Sequence, residues 1–178
     1  MLMRSSCAQG RNFLLYARRD VSSTNATTIS LNCENALIKS YEGKSLSELS
    51  KPKTSIEALQ GIGPVHLESF NKLGIKSISD LANYKFYKIA KSIATLAVTE
   101  GTYRPDDSTM NINKAVDKAY ETKTLREITM APVDSLQGIS EMKGEIFNTM
   151  GVHTVKDLAN LKYCQWAESI IELSKYEE

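Results

Sequence analysis

The sequence predicts an all-α protein: two tandem helical repeats behind an extended N-terminal arm. Three observations carry that expectation. The chain is written twice: Asn32 to Leu49 matches Asn111 to Ile128 at 8 of 18 positions, and Ala58 to Leu96 matches Ser135 to Leu173 at 17 of 39. Within each copy apolar residues recur at helical spacing, and nothing alternates as a strand would. Helix-start signals, a Ser or Thr three residues before an acid, stand at matching places in both copies. A repeat of this length implies one packing unit used twice, each copy helping to bury the other. The offset between copies falls from 79 to 77, which puts a two-residue gap near Lys51 to Ile56. The expected organisation is an arm at 1–31, a first repeat at 32–99, a linker at 100–110 and a second repeat at 111–178.

The first copy opens at Cys33 to Ser40, where Ala36, Leu37 and Ser40–Tyr41 stand at helical spacing. Tyr41 and Tyr120 recur at one position, each expected to pack its ring and leave its hydroxyl wet. Ser45 with Glu48, and Thr124 with Glu127, form the pattern of a capping box and open a second short helix. The centre of the unit is Leu59-Gln60-Gly61-Ile62-Gly63-Pro64, opposite Leu136-Gln137-Gly138-Ile139-Ser140-Glu141. Two glycines around one apolar residue permit a tight turn at positive φ, with the isoleucine plugging the gap between helices. Pro64 suits a first helical position. Val65, Leu67, Phe70 and Leu73 come next as an apolar set, and Gly74 supplies the stop. Ser77 with Asp80, and Thr154 with Asp157, start the next short helix. A longer helix closes each copy, with Phe86, Ile89, Ala90, Ile93 and Leu96–Ala97 in one stripe. Tyr163, Trp166, Ala167, Ile170, Ile171 and Leu173 form its twin. Glu100 to Met110 holds Gly101, Pro105, Asp106 and Asp107 and is expected to be a loop. The paired units would pack through these stripes into one elongated body.

With 178 residues, 42% hydrophobic and 24% charged, the composition is that of an ordinary globular protein. No apolar run approaches the roughly 20 residues that span a bilayer. The net charge of +1 argues against a dedicated nucleic-acid binder, but it hides a gradient. Residues 1–33 carry four Arg and one Asp (4 − 1 = +3), and residues 131–178 carry four Lys and eight acids (4 − 8 = −4). Met1 to Asn32 is rich in Ser and Thr and nearly free of acids. That composition fits an organelle transit segment, and equally a retained basic arm touching a partner through Arg4, Arg11, Arg18 and Arg19.

Catalysis finds no footing in the sequence. Cys7, Cys33 and Cys164 have no metal-ligand spacing, and His66 and His153 fall opposite Lys143 and Lys76 instead of each other. These histidines are expected at the surface. Neither a phosphate loop nor a zincin motif occurs. No catalytic residue, metal or cofactor is expected.

The string LQGIGPVHLESFNKLGIKSISDLA resembles the helix-hairpin-helix modules of DNA ligases, recombinase N-terminal domains and related repair proteins, over about 25 residues per copy. The likeness is weaker in the second copy, where Ser140 stands for the second glycine. It implies hairpin turns at Gly61, Ile62, Gly63 and at Gly138, Ile139, Ser140, whose backbone N–H groups hold either a phosphate oxygen or a partner protein. Against phosphate, the residues after the first turn, Val65 to Glu68, bring an acid and no fixed cation. In the second copy Glu141 and Glu145 bracket Lys143. A carboxylate beside such donors competes with phosphate. Nucleic-acid binding is therefore the lesser of the two readings.

A second resemblance rests on KAYETKTLREI, APVDSLQGIS and DLANLKYCQWA in the second copy. Together these look like nuclear-encoded plastid proteins of algae with red-lineage plastids, some of which are peripheral subunits of photosynthetic antenna assemblies. Residues 1–31 match nothing in that group. The likeness implies a non-catalytic linker among protein subunits of a multi-subunit complex. It would sit on the stromal side of the thylakoid, peripheral to the membrane without a transmembrane helix. Mitochondrion or nucleus is the alternative location.

Overall fold

The computed structural model describes residues 31–103 and 106–178. The arm's four arginines, Arg4, Arg11, Arg18 and Arg19, lie outside the described residues. From Asn32 onward the chain is helical, and among the described residues no strand forms. Eight α-helices occur in order: α1 Leu46–Leu49, α2 Pro64–Lys72, α3 Ile78–Ala82, α4 Lys85–Ala97, α5 Leu125–Met130, α6 Glu141–Thr149, α7 Val155–Ala159 and α8 Lys162–Leu173. No helix among them is long and apolar enough to cross a membrane.

The helix starts are set locally. Ser77 and Thr154 each accept a hydrogen bond from the N–H three residues on, while Asp80 and Asp157 reach back to the cap's own N–H. Thr124 and Glu127 make the same reciprocal pair. At Ser45 only half of the expected box exists: its hydroxyl accepts from the Glu48 N–H, and the Glu48 carboxylate does not return the bond. Helix α2 ends in paired bonds, Gly74 N–H to Asn71 O and Ile75 N–H to Phe70 O, at 3.0 and 2.8 Å. Gly74 has φ of 81°, a conformation that a side chain would strain. Gly151 and Val152 repeat that stop at the end of α6.

One expected helix is absent. Cys33 to Ser40 is a run of turns, because the backbone at Leu37 is paired outside its own segment. The Ile38 N–H donates to Ala58 O and the Gln60 N–H to Ala36 O, both bonds that a helix would have used internally. The corresponding bonds occur at Asp117 to Ser135 and Gln137 to Ala115. A second pair of bridges, Ser55 with Ser77 and Pro132 with Thr154, locates the sequence gap. It lies between α1 and Thr54, where the second copy runs from α5 to Ala131.

The tertiary contacts are reciprocal. Helix α3 packs chiefly on α8 and α4 on α7, while α1 meets α8 and α5 meets α4. Each long helix thus covers the opposite half of the sequence. Helices α2 and α6 meet each other directly, where Ser69 Oγ and Thr149 Oγ1 lie 3.3 Å apart. The core runs through both halves, with Leu49, Ile56, Leu59, Phe70, Tyr87, Val116, Leu136, Phe147 and Leu158 buried together. The expected stripes shift slightly: Tyr87, and not Phe86, is the fully buried aromatic of α4, and Leu96 and Leu173 at the stripe ends are exposed. Burial pushes the Tyr87 hydroxyl pKa up, and the hydrogen bond it donates to Glu168 at 2.9 Å pushes it further.

Carboxylates tie the halves at their edges. The Leu46 and Ser47 N–H groups at the start of α1 donate to the two oxygens of Glu177, at 2.8 and 2.7 Å. The Leu125 and Arg126 N–H groups at the start of α5 donate to the two oxygens of Glu100, at 2.9 and 3.1 Å. Glu100 and Glu177 are 77 apart, so one device is used in both directions. Glu100 therefore anchors a helix start, in a stretch where only a loop is expected.

Ser135 is buried, and its hydroxyl finds no hydrogen-bond partner among the described residues, where the first copy has Ala58. Ser135→Ala should stabilise the fold by about 1 kcal/mol, seen as a melting temperature raised by about 2–4 °C. Burial opposes ionisation of Asp80 and Asp157, but hydrogen bonds from Ser77 and Thr154 outweigh it and hold both carboxyls below the usual range. Groups depressed in the folded state stabilise it above their unfolded pKa of about 3.9 and lose that contribution as pH falls through the folded values. The Asp80→Asn/Asp157→Asn double variant should therefore melt lower than wild type at neutral pH. The two curves should converge as pH drops below about 4.

Candidate interaction site

The two glycine turns are built alike. Below the first, Ser55 caps a 3-10 turn at Ile56–Ala58, which ends in extended Leu59. Gly61 then takes φ of 89°, and the Ile62 N–H closes on Leu59 O at 3.4 Å. In the second copy Gly138 takes φ of 100° and the Ile139 N–H closes on Leu136 O at 3.0 Å. Ile139 is buried and Ile62 half-buried, so the isoleucine fills space between helices in both turns. The second glycine differs from expectation. Gly63 sits at φ −85° and ψ 178°, and Ser140 at φ −73° and ψ 159°. Both are extended conformations open to any residue. Only the first glycine of each turn needs to be glycine, so Ser140 costs the second turn nothing in shape.

The positive-φ glycine of each of these two turns is covered by an aromatic ring from the other half. A Cβ on Gly61 would lie 3.2 Å from Tyr163 Oη, and one on Gly138 would lie 3.3 Å from Phe86 Cζ. Tyr163 also donates its hydroxyl hydrogen to Gly61 O at 2.8 Å. Phe86 and Tyr163 are 77 apart, so the cover is reciprocal, as the carboxylate ties are. Around Tyr163 stand His66, Phe70 and Trp166 in edge-to-face contact, with centroids 5.5, 6.2 and 5.9 Å away. His66 is thus half-buried against this cluster, while His153 stays at the surface with Nδ1 3.0 Å from Asn148 Oδ1.

The rings bring cations with them. Lys162 Nζ lies 5.0 Å from the Tyr163 centroid, 5.3 Å from that of Trp166, and 3.7 Å from the Cβ position of Gly61. Lys85 Nζ lies 5.7 Å from the centroid of Phe86, the ring that covers Gly138. These lysines bring positive charge that the residues after the first turn lack and that Lys143 alone supplies after the second. They arrive from the far helix, and the signal that marks them is their identity between the copies at Lys85 and Lys162.

No family model, curated protein or solved structure matches this chain.

The first turn of each hairpin helix carries an exposed apolar side chain: Val65 on α2 is 58% exposed and Met142 on α6 is 72% exposed. They occupy matching positions of the copies. Glu68 spends its charge on Lys72 at 2.8 Å, and that bond holds its carboxyl below the usual range. Glu141 heads α6 beside the second turn. The buried thiol Cys164 has its pKa pushed up by burial, which keeps it protonated and unreactive. Among the described residues, no group of three His, Cys, Asp or Glu side chains converges as a metal site would require. Arg4, Arg11, Arg18 and Arg19 lie outside the described residues.

The turns themselves generate a test. Gly61→Ala and Gly138→Ala each force a side chain into positive φ against a ring, and each should lower stability by roughly 1–3 kcal/mol in chemical denaturation. Gly63→Ser should be close to neutral, because nothing lies within 4 Å of its Cβ position.

Proposed function

We propose that this chain is a non-catalytic linker that holds one protein subunit of a larger assembly to another. In this reading it is built from two helix-hairpin-helix-like repeats whose turns serve as joints. The observation that carries the reading is the pair Val65 and Met142. A hairpin that grips a phosphodiester strand puts cations in the turn after its glycines, because affinity grows with the phosphates neutralised. Here that turn presents an exposed valine and no cation in the first copy, and in the second an exposed methionine with a single Lys143 set between Glu141 and Glu145. Such side chains favour a protein surface, where an apolar centre inside a polar rim is the usual anatomy of a contact. The likeness of the second copy to peripheral antenna proteins of red-lineage plastids makes a stromal, thylakoid-associated complex the favoured setting, with mitochondrion or nucleus the alternatives. The Arg-containing, Ser/Thr-rich residues 1–31 fit either delivery to such an organelle or a further contact.

One observation favours the rival, a protein that binds the nucleic-acid backbone: Lys162 stands beside the first turn and Lys85 by the ring that covers the second. Their charge faces the rings, and Glu141 stands at the entry to α6. The linker reading is therefore preferred.

Purification from the source, with cross-linking, should recover the chain in a complex, and Val65→Asp/Met142→Asp should release it while leaving its melting temperature near wild type. Titration with duplex and single-stranded DNA at two salt concentrations should give no binding at micromolar protein. Micromolar binding that weakens steeply with salt and is lost in Gly63→Glu would establish the rival instead.

A further inference from the structure

One concavity among the described residues lies away from the glycine turns. It is an open groove of about 570 Å³ between α4, α5 and α7. Its floor is made of small residues, Ala94 and Ala97 of α4 and Ala159 of α7, and its charged lining is Lys91, Arg126 and Lys156. Arg126 is fixed in place, donating from Nε to Ala97 O at 3.1 Å and from its terminal nitrogen to Glu100 O at 2.6 Å. Lys91 pairs with Glu168 at the rim. Lys156 is exposed on α7.

The other half of the sequence supplies an internal control. The matching surface lies between α8, α1 and α3. There Ile171 replaces Ala94, Glu168 replaces Lys91, Ser47 replaces Arg126 and Ser79 replaces Lys156. Counting every charged position that matches the lining, the groove holds Lys91, Arg126 and Lys156, or +3. Its counterpart holds Glu168, Glu172, Lys88 and Lys175, or 2 − 2 = 0. Two changes therefore coincide on one side only: bulk is removed from the floor, and cations are gathered around it. Stability requires neither, since the counterpart packs with an isoleucine and no such cluster.

We propose that this groove is a docking site for an acidic, amphipathic segment of a partner protein. The segment would set carboxylates against Lys91, Arg126 and Lys156 and an apolar side chain on Ala94, Ala97 and Ala159. Charge complementarity selects the acidic face. A small anion would leave the alanine floor unused. A nucleic-acid strand would meet only three cations, one of them already shared with Glu168. The proposal takes from the linker reading only that the occupant is a polypeptide; the groove is separate from Val65 and Met142.

The test is selection of peptides from a random display library on the full-length protein, with titration of the enriched peptides at low and high salt. Enriched peptides should combine Asp or Glu with Leu, Ile or Phe, and should bind more weakly at high salt. Ala94→Ile, which gives the floor its counterpart's residue without altering charge, should weaken them by about tenfold or more, and so should Lys156→Glu. Ser79→Lys, on the counterpart surface, should leave binding unchanged. Melting curves of the variants separate loss of the groove from loss of the fold, and Lys156→Glu changes an exposed residue only. Enrichment of neutral or basic peptides, no enrichment, or binding indifferent to both groove variants would overturn the proposal. So would displacement of the peptides by duplex DNA at equal strength. The Val65→Asp/Met142→Asp variant should still bind them, so failure of the linker reading and failure of the groove give different results.

Discussion

The structure depends on an exchange: the last helix of each half of the sequence lies on the other half. Helix α8 covers α1 and α3, and α4 covers α5 and α7. The apolar stripe of a helix must be buried against something, and here the nearest partner in sequence does not provide it. Neither half holds its own lid. Four further long-range ties repeat the exchange: Glu177 on α1, Glu100 on α5, Tyr163 over Gly61 and Phe86 over Gly138. Removing one half would strand a long helix, expose the ring that should sit on a glycine, and leave a helix start without its carboxylate. Two copies in one chain meet these needs without the concentration dependence of a dimer.

Joining the copies in one chain has a second consequence. In a symmetric dimer, matched positions are identical, and side chains that meet near the axis must tolerate themselves. This chain escapes that constraint. Lys91 and Glu168 are matched positions, 77 apart, and they pair with each other. A Lys–Lys or Glu–Glu pair there would repel. Tyr87 and Cys164 are matched as well, a large ring against a small thiol, and the Tyr87 hydroxyl reaches the same Glu168. Hydrogen bonds from Lys91 and Tyr87 overcome the burial that opposes ionisation, and keep the Glu168 carboxyl below its ordinary range. The pairing of plus with minus and large with small specifies one register of the two halves. The same freedom lets the surface diverge, as at Ala94 against Ile171.

Local features were the ones legible in the sequence. The boxes at Ser77, Thr124 and Thr154, the stop at Gly74, and the glycine turns each depend on residues within a few positions of one another. Several of the failures trace to contacts made from far away. Cys33 to Ser40 has helical spacing, yet its backbone is claimed by Ala58 and Gln60. Gly63 looks obligatory beside Gly61 and proves to be extended. The lysines at the covering rings are hidden from local reading because they come from the opposite half, although Lys85 and Lys162 are identical in the two copies.

The glycine turns show how a motif's shape separates from its chemistry. The positive-φ glycine is needed because the chain must reverse between a 3-10 turn and a helix, and because a ring lies where a side chain would go. Both requirements are internal, and both are met equally in the two copies. The chemistry of the outer surface depends instead on the first residues of the helix beyond the turn. Val65 and Met142 expose apolar side chains there, Met142 between Glu141 and Lys143, and Lys162 and Lys85 are drawn back over aromatic faces. A cation held over a ring has given up part of its hydration in exchange for that contact. Reaching outward for a phosphate would require it to surrender the ring as well. The turn can therefore keep its form without ever touching a phosphodiester, and its retention in both copies is explained by packing alone.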